Sequence, residues 1–312
     1  METLEQIKQE VRKVIVGQEE MVELAMVGLM AGGHVLLEGV PGVAKTLLVK
    51  TLAKIISLDF KRIQFTPDLM PSDITGTKIF NMQTREFELK KGPIFTNLLL
   101  ADEINRTPPK TQAGLLEAMA ESSVTIEGEM MGLDAPYMVF ATQNPLEYEG
   151  TYPLPEALVD RFLMKIIIDY PSVAEETEIL KKHHLGFDAT TLDRDEIHTV
   201  CSKETIMSLR KQVEDVKVEE ALLGYMASLV QETRKNPMLE VGSSPRGGIA
   251  ILKCSKALAL LKGRNYILPE DIKQMFIPTI RHRIILKAEL EIEGVKVEQV
   301  LKNILDKVVV PR

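Results

Sequence analysis

A short glycine- and proline-containing run, GVPGVAKT, occupies residues 39–46. It follows an apolar stretch at 34–38, expected to be a strand, and precedes a helical pattern that begins at Lys45. A loop at such a junction can direct several backbone N–H groups and a helix N-terminus at a polyphosphate. Lys45 would then reach the β- and γ-phosphates, and the Thr46 hydroxyl would bind Mg²⁺. A strict phosphate-loop pattern has glycine where this chain has Ala44, so the prediction depends on the strand before the run and the helix after it.

Two acids, Asp102 and Glu103, come directly after the apolar run 98–101. A strand that ends in two acids places them at the carboxyl edge of a sheet, where ligands bind in open α/β folds. Asp102 is suited to hold Mg²⁺, directly or through water, and Glu103 is suited to orient and polarise an attacking water. The alternative is an ordinary polar loop after a strand. The phosphate loop earlier in the chain favours the catalytic interpretation.

A polar amide, Asn144, follows another apolar run at 137–142. Its side chain could donate a hydrogen bond to the γ-phosphate or to the attacking water. The pair Asn144-Pro145 is also a common way to open a turn, and without the neighbouring motifs this simpler interpretation would be preferred.

Two arginines complete the set of chemically informative residues. Arg161 precedes the last predicted strand, and Arg246 lies at the start of a helix that opens with Ser244-Pro245. A guanidinium can neutralise the charge that develops on a transferring phosphoryl group. The alternatives are a local ion pair between Arg161 and Asp160 and simple surface exposure of Arg246.

The elements that must position these residues alternate between strand and helix. Residues 3–31 are predicted to be helical with a break near 14–17. Short apolar runs without alternation suit strands buried on both faces of a parallel sheet, and their alternation with helices indicates an α/β fold. The predicted strands are 34–37, 60–65, 97–101, 137–142 and 163–168.

Two inserts interrupt this α/β pattern, and the pattern ends near Pro171. One predicted hairpin joins 77–81 to 86–90, and the other joins 123–127 to 128–133. Ser172 and Glu175 form a capping box that opens a new helix, after which only helical patterns are found. The sequence therefore predicts two domains, residues 1–171 with the α/β pattern and residues 172–312 with helices alone. The Arg281-His282-Arg283 run could touch nucleotide or a neighbouring subunit, but we expect it to be a surface cluster. We expect the His183-His184 pair to be a solvated helix end.

Composition excludes several classes of protein. The chain has 312 residues and a net charge of −7. Residues 1–171 carry 16 basic and 24 acidic side chains, net −8, and the remaining residues carry 22 and 21, net +1. An acidic core argues against a nucleic-acid-wrapping protein, which needs dense lysine and arginine. Two isolated cysteines, the lack of a signal peptide and the lack of a long apolar run predict a soluble cytoplasmic protein without a membrane span.

The order and spacing of these motifs resemble the AAA+ ATPases, in which they are called Walker A, Walker B, sensor 1, arginine finger and sensor 2. Closer matching points to the MoxR family. The resemblance rests on four segments and covers about residues 5–300. They are GVPGVAKT at 39–46, ADEINRTPPKTQAGLLEAM at 101–119, FATQNPLEYEGTYPLPEALVDRF at 140–162 and SPRG at 244–247.

The resemblance implies an AAA+ P-loop αβα core with a parallel sheet and two hairpin inserts, followed by a small all-helical lid. It implies catalytic roles for Lys45, Glu103, Asn144, Arg161 and Arg246, and Mg²⁺ ligation by Thr46 and Asp102. The segment at 16–18 matches the one that lines the adenine pocket. The residues expected to contact ATP are therefore Val16, Gly17, Gln18, Gly39, Val40, Pro41, Gly42, Val43, Ala44, Lys45, Thr46 and Leu47.

The resemblance also implies a ring, usually a hexamer, with ATP at the subunit interfaces. Arg161 would then act in trans on the neighbour's nucleotide, whereas Arg246 could act within its own subunit or across the interface. MoxR relatives are chaperone-like remodellers or activators of client proteins, and they commonly work with proteins that contain a von Willebrand factor A domain. This chain lacks the DxSxS segment of such a domain, so a partner would have to supply it.

Three other functions stay open at this point. The chain could be a nucleotide-dependent binding switch without significant turnover, although a pure switch has little need of Glu103. It could be the motor subunit of a metal chelatase, which shares the architecture. A DNA-translocating motor is disfavoured by the acidic core and by the absence of interleaved aromatic and basic residues.

Overall fold

The computed structural model describes residues 2–144, 150–188 and 197–311. In chain order the strands are β1 (His34–Gly39), β2 (Phe60–Gln64), β3 (Gly76–Asn81), β4 (Glu86–Lys91), β5 (Leu98–Asp102), β6 (Ser123–Ile126), β7 (Glu129–Gly132), β8 (Met138–Gln143), β9 (Phe162–Ile168), β10 (Leu239–Val241) and β11 (Ile285–Leu286). The helices are α1 (Glu2–Val14), α2 (Glu19–Ala31), α3 (Lys45–Ile55), α4 (Pro71–Thr75), α5 (Pro109–Glu121), α6 (Glu156–Val159), α7 (Val173–His184), α8 (Lys203–Glu214), α9 (Glu220–Lys235), α10 (Pro245–Leu261), α11 (Pro269–Ile280), α12 (Ala288–Ile292) and α13 (Val297–Lys307).

A parallel five-stranded sheet forms the centre of the fold, in the order β2-β5-β8-β1-β9. All five predicted strands are confirmed, each with ends within two residues of the expected ones. Because every strand runs in the same direction, the segments after β1, β5 and β8 meet at one edge of the sheet. These segments are the ones that carry the phosphate-loop run, the acid pair and Asn144.

Both faces of the sheet are buried, as the apolar runs predict. Alternate residues along β5 belong to different clusters: Leu98 and Leu100 pack on the side of α1, α2 and α3, whereas Leu99 packs on the side of α5. β1 and β8 divide their side chains in the same way, whereas the edge strand β2 has exposed Lys61 and Arg62 and the edge strand β9 has exposed Ile167. Burial on both faces explains why β1, β5 and β8 are largely apolar in the sequence.

The two inserts are antiparallel hairpins, as predicted. β3 pairs with β4 and β6 pairs with β7. The tight turn of the second hairpin uses Glu127 and Gly128, both with positive φ, which matches the right-handed twist of paired strands. Lys78 Nζ of the first hairpin donates to Glu129 Oε1 of the second at 2.6 Å, so the hairpins lie side by side.

The predicted boundary at residues 171/172 falls in the link between β9 and α7, whose N-cap Ser172 and Glu175 form the expected capping box. Helices α9, α10, α11 and α13 surround a core of their own. α8 and α10 also pack against α2, so one apolar cluster extends from the sheet into the C-terminal helices. The expectation of helices alone missed the ribbon of β10 and β11, which are too short for their pattern to show.

None of the helices in the described residues is both long enough and apolar enough to cross a membrane.

His34, at the start of β1, connects two elements through its ring. The backbone N–H of Val139 donates to His34 Nδ1 at 3.0 Å, and His34 Nε2 lies 3.0 Å from Met119 O. The ring is therefore neutral with its proton on Nε2, and it cannot take a second proton at Nδ1 without losing the bond from Val139. Burial lowers the pKa of His34 to about 4.

This depressed pKa predicts a loss of stability in acid. In the unfolded chain the histidine binds a proton below about pH 6.5, whereas the folded chain resists doing so until about pH 4, so stability falls as the pH decreases through that window. Because His34 is half-buried as a residue, solvent screens part of the effect, which we expect to be on the order of 2 kcal/mol. Urea unfolding of the wild type and of His34→Gln, at about pH 7.5 and about pH 4.5, measures it. The wild type should lose more stability than the variant, and equal losses would contradict the assignment.

Candidate nucleotide-binding site

The loop between β1 and α3 has a backbone that requires small residues. Gly42 has φ of 86°, and a Cβ at Gly39 would lie 2.5 Å from the carbonyl oxygen of Ile168. Ala44 has φ of 61°, in the left-handed region, which explains why glycine is usual at this position. An alanine can adopt this conformation at a cost of about 1 kcal/mol, so the departure from the strict motif is compatible with the same loop geometry.

Lys45 is the first residue of α3 and turns back over the loop. Its Nζ donates to Gly39 O at 2.6 Å. The ammonium group, the N-terminus of α3 and the loop backbone therefore lie together. Positive charge and N–H donors at a helix N-terminus form a site that favours anions.

Asp102, at the end of β5, is held from two sides. Thr142 Oγ1 on β8 donates to Asp102 Oδ1 at 2.5 Å. Arg62 on β2 donates to Asp102 Oδ2 from Nε at 2.9 Å and from Nη2 at 2.6 Å. The residue is only 8% exposed, so its carboxylate orientation is fixed by neighbouring strands.

Glu103 has φ of 55°, in the left-handed region, and follows directly after the end of β5. Its Oε2 accepts from Gln64 Nε2 at 2.8 Å and from Arg106 Nη1 at 2.9 Å. Its backbone N–H donates to Thr142 Oγ1 at 2.8 Å. The two acids therefore share Thr142 as a common support, and each has a further partner on β2.

A cavity of about 510 Å³ brings these groups together, and we call it the phosphate-loop cavity. This volume is ordinary for a small-molecule site. Of the residues predicted from sequence, those that line it are Val16, Gln18, Pro41, Gly42, Val43, Ala44, Lys45, Thr46, Leu47, Asp102, Glu103 and Asn144. Gly17, Gly39 and Val40 lie beside the lining residues and are not part of the wall; Gly39 instead accepts the bond from Lys45.

Several lining residues were missed by sequence reasoning. Arg62 contributes from β2, and Lys182, His183 and Phe187 contribute from α7 and the segment after it. His183 is exposed in the last turn of α7, as expected of a solvated helix end, and it also borders the cavity. Lys182 Nζ donates to Lys13 O at 2.7 Å, at the C-terminal end of α1, and thereby joins the two helices that close this side of the cavity. For Lys182, His183 and Phe187, the only signal in the sequence is the capping box that starts α7.

Arg161 and Arg246 do not line the phosphate-loop cavity. They border a second cavity of about 360 Å³, which we call the arginine cleft and whose wall includes Asp160, Arg161, Arg246, Lys253 and Arg283. Arg246 Nη1 lies 3.5 Å from Asp160 Oδ2, and Arg161 Nη1 donates to Ala157 O at 2.7 Å. The sequence suggested an ion pair between Arg161 and Asp160, but the described ion pairs of this acid are with Arg246 and Arg283.

The expectation that Arg281-His282-Arg283 is a surface cluster is wrong. The side chains of Arg281 and Arg283 are 13% and 4% exposed. Arg283 donates to Asp160 Oδ1 from Nε at 3.0 Å. The contact joins residues 123 positions apart, which no local pattern in the sequence could indicate.

Residues 145–149 of the long motif at 140–162, including Pro145, lie outside the described residues.

Comparisons with known proteins agree with this architecture. The profile of the ATPase family associated with various cellular activities (AAA) matches residues 34–164, and that of the AAA lid domain matches residues 231–304. The Bacillus subtilis (strain 168) protein YeaC is 48% identical over 301 residues, covering 96% of this chain and 92% of the relative. Chaperone MoxR1 of Mycobacterium tuberculosis is 42% identical over 319 residues, covering 99% and 83%. A crystal structure from Cytophaga hutchinsonii superimposes with a TM-score of 0.91 at 44% identity, covering 100% of this chain and 96% of that one.

Three findings lead to one assignment. They are the full-length similarity to a named MoxR protein, the matches to the AAA and AAA lid profiles, and the parallel sheet with a helical C-terminal region. This chain belongs to the MoxR family of AAA+ ATPases.

Proposed function

We propose that this protein hydrolyses ATP with Mg²⁺ as a subunit of an oligomeric ring, and that it uses the cycle to remodel or activate a client protein. The observation that carries the proposal is the convergence, on one cavity, of the phosphate loop, the acid pair and Asn144. We further propose that residues 1–171 are the nucleotide-binding core and that residues 172–312 are its lid. Two buried free cysteines are compatible with a cytoplasmic location.

The cavity fits a nucleoside triphosphate with Mg²⁺. The loop backbone and Lys45 offer donors and positive charge to a polyphosphate, and nothing lies within 4 Å of the Cβ position of Gly42, so a phosphate can approach the backbone there. Thr46 and Asp102 line the same cavity, and the described residues hold no group of three or more histidine, cysteine or acidic side chains that could bind a metal unaided. Mg²⁺ commonly takes one or two protein oxygens and completes its shell with phosphate oxygens and water.

When bound, Mg²⁺ would neutralise charge on the β- and γ-phosphates. Lys45 would bind the γ-phosphate oxygens, and Asn144 would orient that group. Glu103 would align a water for in-line attack on the γ-phosphorus and accept its proton, while the bond to the bridging oxygen breaks and ADP leaves. Gln64 and Arg106 hold the Glu103 carboxylate in place for this role.

In a ring, the neighbouring subunit would supply the arginines that are missing from the wall of a subunit's own phosphate-loop cavity. Arg161 and Arg246 both border the arginine cleft and are absent from the wall of the phosphate-loop cavity. We propose that both arginines act in trans on the nucleotide of the next subunit, in a ring that is hexameric by resemblance to the family.

The hairpins offer a surface for the client. Phe80 and Phe87 of the first hairpin are 48% and 68% exposed, and Met130 of the second is 78% exposed. Exposed aromatic side chains and methionines are common in protein-binding surfaces. We propose that the hairpins contact a client or partner protein, which by family resemblance could contain a von Willebrand factor A domain.

Phosphate release by the purified protein tests the proposal. We expect steady-state release with MgATP that is abolished by EDTA, together with an oligomer detected by light scattering. Binding of MgATP without measurable release would favour the nucleotide-dependent switch instead. Absence of ATP binding would contradict both functions.

A further inference from the structure

Arg283 connects the C-terminal helices to the segment that carries Arg161. It lies just after α11, and its side chain is 4% exposed. Its guanidinium crosses to the short segment between α6 and β9, residues 160–163. A buried arginine must have its donors satisfied, so the partners it selects there are informative.

Those partners lie on both sides of Arg161. Arg283 Nε donates to Asp160 Oδ1 at 3.0 Å, and Nη2 donates to Asp160 O at 3.2 Å and to Phe162 O at 2.6 Å. Nη1 donates to Leu163 O at 3.2 Å and also to Thr279 O in α11. The planar guanidinium therefore fixes the backbone before and after Arg161 relative to the end of α11.

Asp160 extends the same contact to α10. Its Oδ1 accepts from Ser244 Oγ, the N-cap of α10, at 3.4 Å, and its Oδ2 pairs with Arg246 Nη1 at 3.5 Å. The carboxylate next to Arg161 in the chain is thus shared by Arg246 and Arg283. Because Arg246 is largely exposed and Arg283 is buried, the buried arginine is the one that can hold the group in place.

Arg161 itself is weakly held by its side chain. Nη1 donates to Ala157 O at 2.7 Å, whereas the buried Nε has no hydrogen-bond partner among the described residues. The direction in which Arg161 points therefore depends on the backbone of residues 160–162, which Arg283 fixes. Arg283 does not line the phosphate-loop cavity of its own subunit.

We propose that Arg283 is a positioning residue that, through Asp160 and the adjacent carbonyls, holds Arg161 and Arg246 as one unit facing the neighbouring subunit's nucleotide. The inference rests on the proposed function, in which Arg161 acts in trans. It gives Arg283 a role in turnover without contact with nucleotide, and it couples the orientation of the C-terminal helices to the position of both arginines.

Arg283→Met tests the proposal, with Arg264→Met as the matched control. Arg264 also forms a buried pair, to Asp271 at 2.6 and 2.7 Å, but it lies far along the chain from residues 160–163. We expect Arg283→Met to lower kcat roughly ten- to hundredfold, because a displacement of about 1 Å of a catalytic group has that effect. The dissociation constant for ATP should stay at the wild-type value, and Arg264→Met should retain the wild-type kcat.

Mixing experiments distinguish misplacement of Arg161 and Arg246 from general misfolding of the Arg283→Met subunit. Arg283→Met subunits keep an intact phosphate-loop cavity, so mixing them with Lys45→Ala subunits, which keep intact arginines, should restore phosphate release. Mixing Arg283→Met with Arg161→Ala should restore none, because both changes affect the same side of the interface. No restoration in the first mixture, with oligomers present, would overturn the proposal.

Two further variants test the proposal even if Arg283→Met fails to fold. Asp160→Asn keeps the volume and most hydrogen bonds, and it should show the same mixing behaviour with a smaller loss of kcat. Arg283→Lys keeps the charge but loses the fork of donors, so its kcat should lie between those of the wild type and Arg283→Met. If wild-type protein hydrolyses ATP and Arg161→Ala does not, but both Arg283 variants turn over normally, this inference fails while the proposed function stands.

Discussion

Glu103→Gln is expected to bind MgATP and to hydrolyse it roughly 10²–10⁴-fold more slowly than the wild type, the usual contribution of a general base. Glutamine keeps an oxygen that can accept from Gln64 and Arg106, the two donors that hold the glutamate at 2.8 and 2.9 Å. It cannot accept a proton from water. The substitution therefore removes the chemistry while keeping the shape of the site.

Fluorescent-ATP binding and single-turnover hydrolysis distinguish these two effects. Glu220→Gln is the matched control, since Glu220 is exposed in the first turn of α9, and it should have wild-type activity. Wild-type turnover by Glu103→Gln would remove Glu103 from the mechanism. Loss of ATP binding would show instead that this carboxylate supports the cavity rather than the reaction.

The strands and the loop were predictable from the sequence because both follow from local physics. Strands buried on two faces must be apolar throughout, so β1, β5, β8 and β9 can be read from short segments. Acids at the end of such a strand must lie at the sheet edge. This rule places Asp102 and Glu103 next to the phosphate loop from the sequence pattern alone.

The residues that hold Asp102 and Glu103 in place could not be predicted from local patterns in the sequence. Gln64 and Arg62 come from β2, which is the edge strand beside β5 although β3 and β4 separate them in the chain. The order of strands in a sheet is a property of topology, and no local pattern specifies which polar residue on one strand meets an acid on another. Two polar residues, Arg62 and Gln64, at alternate positions of this edge strand are the one available signal.

The grouping of Arg161, Arg246 and Arg283 depends even more on tertiary packing. Arg283 reaches residues 160–163 because α11 packs beside β9, and Arg246 does so because α10 begins next to Asp160. The sequence suggests roles for Arg161 and Arg246 but gives no sign that they meet each other or Arg283. Their common position around one carboxylate becomes visible only when the C-terminal helices are packed against the sheet.

Arg161→Ala is expected to bind ATP normally and to lose roughly 10³–10⁵ in kcat, the effect of removing an arginine that stabilises a transferring phosphoryl group. Binding should survive because Arg161 is not part of the wall of its own phosphate-loop cavity. Folding should survive because the side chain makes one described hydrogen bond, to Ala157 O. The readouts are steady-state phosphate release, fluorescent-ATP affinity and light scattering to verify the oligomer.

The trans assignment makes a stronger prediction for mixed rings. Lys45→Ala subunits lack a working phosphate site but keep Arg161, and Arg161→Ala subunits have the reverse defect. With random mixing at equal amounts, about a quarter of the interfaces pair an intact site with an intact arginine, and phosphate release should rise well above that of either variant alone. A mixture of Arg161→Ala with Arg246→Ala should gain nothing if both arginines act across the same interface. If the first mixture recovers, recovery in the second as well would place Arg246 on its own subunit's nucleotide. No recovery in the first mixture would place Arg161 on its own subunit's nucleotide, in conflict with its position in the arginine cleft.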